Sequence, residues 1–280
     1  MSPKTLLHGV LLTVAATALG AGPAAADTTV APDPTAQNVT AYGTTAAWSR
    51  KAADGYHLVV AHGGTIADAP VPASSQPYDP DLGPAKGSNV RVIVYARGGD
   101  LYRYDVGTAA ERKLTSLSSS ATETAPSFFK DTIVFSRTTG PRTGVYLKRP
   151  GRPLTRLFRT VAAETDVAAT RVIGRFGEGT RSIIRILNMN ATDVKIVARA
   201  KTEQRMASPT LTRFNGIWLR VGRTQSSVEQ VGVNAHRGLH VLTADRPLPG
   251  QVGSLASYEI PLLYTNDKGV QRIVPKLRFS

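Results

Sequence analysis

Residues 126–137 read Pro126-Ser127-Phe128-Phe129-Lys130-Asp131-Thr132-Ile133-Val134-Phe135-Ser136-Arg137. Two β-rich runs flank the polar pair Lys130-Asp131, which predicts a hairpin. Gly144 to Arg149 and Leu154 to Phe158 supply a third and a fourth strand, with Gly140-Pro141 and Pro150-Gly151 marking the turns. The whole is an antiparallel four-strand meander. In Ile133-Val134-Phe135, Val134 points one way and its two neighbours the other, yet all three are large and apolar. Such a strand is covered on both faces.

The second-strand phrase recurs. It reads Ala46-Ala47-Trp48-Ser49-Arg50, Ile93-Val94-Tyr95-Ala96-Arg97, Ile133-Val134-Phe135-Ser136-Arg137, Val172-Ile173-Gly174-Arg175, Ile217-Trp218-Leu219-Arg220 and Leu262-Leu263-Tyr264-Thr265-Asn266. The six copies lie 38 to 47 residues apart. A single four-stranded sheet cannot bury both faces, so copies at this period must stack on one another. The fold class is therefore all-β, a six-bladed β-propeller of four-stranded antiparallel blades preceded by a signal peptide.

First strands are expected at Asn38–Tyr42, Asp79–Gly83, Pro126–Phe129, Asp166–Ala169, Pro209–Thr212 and Gly253–Tyr258. The last blade lacks a clear fourth strand. Either Leu277 to Phe279 forms a stub, or Thr28 to Val30 pairs there and closes the ring; the second is preferred because an open ring exposes sheet edges. Ala109-Ala110-Glu111 and Val161 to Glu164 read as turns.

Lys4, the mostly apolar Thr5 to Leu19 and the small residues Ala24-Ala25-Ala26 before Asp27 predict a secretory signal over residues 1–26, with the propeller over 27–280. No other run is apolar enough to span a bilayer, so the expected chain is exported, secreted or periplasmic or wall-associated, with no stable membrane span. Cysteine is absent, which excludes disulfides, thiolate metal sites and a cysteine nucleophile. The formal charge is +14, or +13 once Lys4 leaves with the signal, a field that attracts polyanions.

Asp100-Leu101-Tyr102-Arg103-Tyr104-Asp105-Val106-Gly107-Thr108, Glu111-Arg112-Lys113-Leu114-Thr115 and Glu123-Thr124-Ala125-Pro126-Ser127-Phe128 resemble the repeat of the TolB-like, WD-repeat-like six-bladed propellers. The likeness is strong over blades 2 and 3, partial in 4 and 5, and thin in 1 and 6. The family's Ser-Pro-Asp-Gly turn is replaced by Phe129-Lys130-Asp131 and Arg213-Phe214-Asn215-Gly216. The resemblance implies a binding or scaffolding role in the cell envelope, without a shared catalytic residue set.

The chain has no Gly-x-Ser-x-Gly elbow and no His-Glu-x-x-His. His62-Gly63-Gly64 reads as a turn between the third and fourth strands of blade 1. Asp79-Pro80-Asp81-Leu82-Gly83 lacks the distal Glu of an EF-hand. His236 and His240 fall on a turn and the following strand, so a helical metal pair is not available. Trp48 and Trp218 occupy equivalent core places.

Candidate binding residues are the acids at or just before first strands: Asp79, Asp81, Glu123, Glu164 and Asp166. In a propeller these open onto one mouth of the central channel, where they either bind a cation or cationic ligand or hydrogen-bond local amides. A second candidate is a basic patch of Arg149, Arg152 and Arg156. It sits in a stretch from Lys130 to Arg159 with eight cations and the single acid Asp131.

The expected partners are an envelope protein, a peptide or an anionic wall polymer, with no specific nucleic acid and no cofactor. The alternative is a secreted glycan- or peptide-cleaving enzyme with its site at the channel mouth. An acid, base and nucleophile within about 3 Å of one another would mark that alternative.

Overall fold

The computed structural model describes residues 27–190, 192–212, 214–234, 238–240, 246–248, 252–257 and 262–273. The expected signal, the Leu277 to Phe279 stub and His236 lie outside them. Strand β1 (Thr28–Ala31) comes first. Blade 1 is β2 (Gln37–Tyr42), β3 (Thr45–Ala52), β4 (Gly55–His62) and β5 (Thr65–Asp68). Blade 2 is β6 (Asp81–Pro84), β7 (Arg91–Arg97), β8 (Asp100–Asp105) and β9 (Ala110–Lys113). Blade 3 is β10 (Glu123–Phe129), β11 (Thr132–Arg137), β12 (Gly144–Lys148) and β13 (Thr155–Phe158). Blade 4 is β14 (Ala162–Ala168), β15 (Arg171–Phe176), β16 (Ile183–Asn188) and β17 (Lys195–Arg199). Blade 5 is β18 (Arg205–Leu211), β19 (Asn215–Val221), β20 (Ser226–Asn234) and β21 (Gly238–His240), with β22 (Arg246–Leu248) pairing β20. Blade 6 is β23 (Leu255–Ser257), β24 (Leu262–Asn266) and β25 (Gly269–Ile273), completed by β1.

All of these pairings are antiparallel, and the first strands β2, β6, β10, β14, β18 and β23 touch in succession to close a ring. The N-terminal strand shuts it, with Thr28 opposite Arg272 and Ala31 opposite Val270. Two expected turns are strands instead, since β9 begins at Ala110 and β14 at Ala162. First strands also start earlier than the sequence suggests in blades 3, 4 and 5.

Six buried apolar clusters hold the described structure, one at each junction between blades. Strand β11 shows why its phrase is apolar on both faces: Ile133 and Phe135 pack toward blade 2, and Val134 toward blade 4. Each such fully buried side chain contributes about 1.5–3 kcal/mol. Trp48 and Trp218 are both core residues, and their indole N–H groups donate to Asp33 and Glu229 at 2.8 and 2.7 Å.

The polar end of the phrase also has a physical reason. Ser49 Oγ accepts the amide of Tyr78, and Ser136 Oγ donates to the carbonyl of Ala162, each tying one blade to the segment that opens the next. The terminal arginines pair within their own blades, as Arg50 with Asp68, Arg97 with Glu111, Arg137 with Glu123, Arg175 with Glu164 and Arg220 with Glu229. Much of the chain's excess of cations therefore does not come from these residues.

Candidate functional site: an acid-lined central channel

One strand position recurs around the ring. Thr40 faces Ala47, Asp81 faces Val94, Ser127 faces Val134, Asp166 faces Ile173, Thr210 faces Ile217 and Ala256 faces Leu263. These are equivalent registers between first and second strands, so the six residues form one layer of the channel. Two residues earlier stand Asn38, Asp79, Ala125, Glu164, Ser208 and Ser254, a second layer. In blades 1, 3 and 5 the strand bulges between the layers, where Asn38, Ala125 and Ser208 take left-handed backbone with φ of 52°, 47° and 47°.

Asp79, Asp81, Glu164 and Asp166 all line a single cavity of about 100 Å³ together with Asn38, Thr40, Ser208, Thr210 and Ser254. The space holds a few waters or the tip of a side chain, since liquid water occupies about 30 Å³ per molecule. On the far side of the first layer a space of only about 20 Å³ lies against Leu82, Phe128, Val167 and Leu211. The four acids come from blades 2 and 4, with blade 3 between them.

The layers also hold the blades together. Asp81 accepts the amide of Phe128 at 2.5 Å and the Thr40 hydroxyl at 3.2 Å. Asp166 accepts the amide of Leu211 at 2.5 Å and the Thr210 hydroxyl at 3.0 Å. Glu164 accepts the amide of Ser208 at 2.5 Å and is paired with Arg175 at 3.1 Å. Thr40 performs the same task between blades 1 and 2 without a charge, its Oγ1 accepting the amide of Leu82 at 2.9 Å. Between blades 6 and 1, Ser254 Oγ accepts the amide of Val39.

Asp79, Asp81 and Asp166 are half-buried in the cavity wall. Burial therefore raises the Asp79 carboxyl to about 7, with the Glu164 charge adding to the shift and Arg175 opposing it. Burial and the facing Asp166 push Asp81 well above the usual carboxylate range against the pull of the Phe128 amide. Burial likewise raises Asp166 to about 6, against its hydrogen bonds from Leu211, Thr210 and Val167. These three carboxyls therefore ionise less readily than free ones.

Glu123 is not among these acids. The bulge at Ala125 breaks the strand's alternation, and Glu123 turns away from the channel to a fully buried pairing with Arg137 at 3.1 Å and Ser119 at 2.6 Å. The three arginines of blade 3 are divided as well. Arg149 and Arg152 flank the turn after β12, whereas the guanidinium of Arg156 bonds the carbonyl of Thr143 at the opposite end of the hairpin. Among the described residues no three His, Cys, Asp or Glu side chains are grouped to hold a metal ion. No helix there is long and apolar enough to cross a membrane.

The hydroxyls of the layers went unread in the sequence, although Thr40, Ser127 and Thr210 each stand seven positions before their partner in the recurring phrase. That constant offset was the available signal. Blade 2 hides it with a longer first turn, residues 85–90.

No protein-family model matches the chain, and no curated protein matches it. Solved structures do. A chain from the mitotic checkpoint complex superposes with a TM-score of 0.56 at 9% identity, over 97% of this chain and 98% of that one. A putative TolB from Agrobacterium tumefaciens gives 0.55 at 10% identity, over 86% and 91%. TolB from Acinetobacter baumannii gives 0.52 at 15% identity over 82% of this chain and 63% of that protein. At such identities the likeness speaks to fold alone: the chain is a six-bladed β-propeller, a fold similar to that of these structures.

Proposed function

We propose that this chain is an exported binding propeller that receives a cationic group of a protein or peptide partner at the acid-lined end of its channel. The observation that carries the proposal is the convergence of Asp79, Asp81, Glu164 and Asp166 on one cavity of about 100 Å³. Blade 1 meets the same structural need with a neutral hydroxyl, so the carboxylates of blades 2 and 4 bring negative charge that blade pairing does not require. A lysine, arginine or free amino terminus matches the cavity in size and in charge. Export is supported by the leader-like sequence of residues 1–26. The checkpoint-complex chain offers a precedent for this fold within a protein assembly.

The enzymatic alternative finds less support. Hydroxyls and carboxylates do lie about 3 Å apart, but Asp81, Glu164 and Asp166 already accept backbone amides and no imidazole among the described residues lines the cavity. The space is also far below the roughly 300 Å³ of small-substrate clefts. Binding of an anionic wall polymer at blade 3 rests on Arg149 and Arg152 alone, since Arg156 faces elsewhere.

Peptide display against the purified protein tests the proposal. Selected peptides should carry an exposed Lys, Arg or amino terminus and should lose at least about tenfold in affinity to an Asp79→Asn/Glu164→Gln variant, about 1.4 kcal/mol. Selection of peptides without a cationic tip, or equal binding to the variant, would contradict it.

A further inference from the structure

A larger cavity lies away from the channel, on the surface between blades 4 and 5. Its volume is about 530 Å³, within the range of small-molecule sites. Two tight turns bound it. In one, the amide of Gln204 donates to the carbonyl of Lys201 at 3.0 Å; in the other, the amide of Gly222 donates to the carbonyl of Gln225 at 2.9 Å.

Between the turns, Arg220 is fixed from several sides. It is paired with Glu229, which also accepts the Trp218 indole N–H at 2.7 Å, and it donates to Gln204 Oε1 at 3.1 Å and to the carbonyl of Arg199 at 3.2 Å. One wall of the cavity is thus held in place before any ligand arrives.

Among the described residues no apolar side chain lines this space. An apolar ligand has nothing to bury against, and a nucleobase has no aromatic ring to stack on. What the lining does offer is hydroxyls from Thr202, Thr224 and Ser227, side-chain amides, and charges of both signs. That mixture suits a ligand whose groups donate and accept hydrogen bonds alike.

The charge narrows the choice. Arg220 is neutralised by Glu229, whereas Lys201 and Arg223 have no ion-pair partner among the described residues and face the single acid Glu203. One positive charge is left over.

We infer that this cavity binds a short acidic glycan, the sugar hydroxyls meeting the polar lining and a sugar carboxylate meeting Lys201 and Arg223. The site is independent of the channel and of what the channel binds. Because no ring stacks on the sugar, affinity is carried by hydrogen bonds and charge and weakens with salt.

Calorimetry on the full protein with digalacturonate and with its neutral counterpart galactobiose tests this. The acidic sugar should give saturable binding at least about fivefold tighter than the neutral one, falling about tenfold in the exposed-site variant Lys201→Gln/Arg223→Gln. The Asp79→Asn/Glu164→Gln variant should bind the sugar as the unaltered protein does. Absence of heat with both sugars, equal affinity for the two, or indifference to Lys201→Gln/Arg223→Gln would overturn the inference. Loss of sugar binding in the channel variant would place the sugar in the channel and overturn it too.

Discussion

Blades 1 and 2 solve the same problem with different chemistry. At one register of the first strand, blade 1 offers Thr40 and blade 2 offers Asp81, and each accepts an amide from the next blade, Leu82 at 2.9 Å and Phe128 at 2.5 Å. Blade 4 repeats the acidic solution with Asp166. A hydroxyl does this without burying a charge, whereas the carboxylates carry their ionisation into an enclosed cavity at a cost. The difference separates what the fold needs from what the channel adds.

The largest break in that comparison is Asp81→Ala, which leaves the amide of Phe128 without an acceptor. The loss should be about 1–3 kcal/mol in urea unfolding in acid. The loss should shrink as pH rises, because burial and the Asp166 charge hold this carboxyl above its ordinary range.

Next comes Asp79→Asn, a change at an acid that does not hold two blades together. Its raised carboxyl keeps a proton in the folded protein that the unfolded chain releases between roughly pH 4 and 7. Folding stability contributed by this group is therefore greatest in acid and falls as pH rises through 7. Asn should stabilise the protein by on the order of 1–2 kcal/mol at pH 8, after screening by channel water, and change it little at pH 4. Thermal melts at the two pH values check the sign.

The smallest effect belongs to Thr40→Ser, which preserves the hydroxyl acceptor. It should shift stability by no more than about 0.5 kcal/mol at either pH.

The ring itself was legible from six copies of a two-faced apolar strand, because wedge packing between blades leaves no other use for residues such as Val134 and Phe135. Four channel acids were legible from their place at the start of first strands. Glu123 was not, since the turn of its side chain depends on the left-handed backbone at Ala125, which no residue type announces. The pairing of the terminal arginines was equally hidden. Their acids come from the first strand in blades 3 and 4, the third in blade 5 and the fourth in blades 1 and 2, so no fixed spacing reveals them.

The most direct test is the melting temperature of Asp79→Asn/Asp81→Asn across pH. Asparagine retains an acceptor for the Phe128 amide while removing both charges. If blade pairing needs only that acceptor, the variant should melt about 2–6 °C above the unaltered protein at pH 8 and close to it at pH 4. A lower melting temperature at pH 8 would mean that the charges support the propeller itself, and would contradict the assignment of these acids to binding.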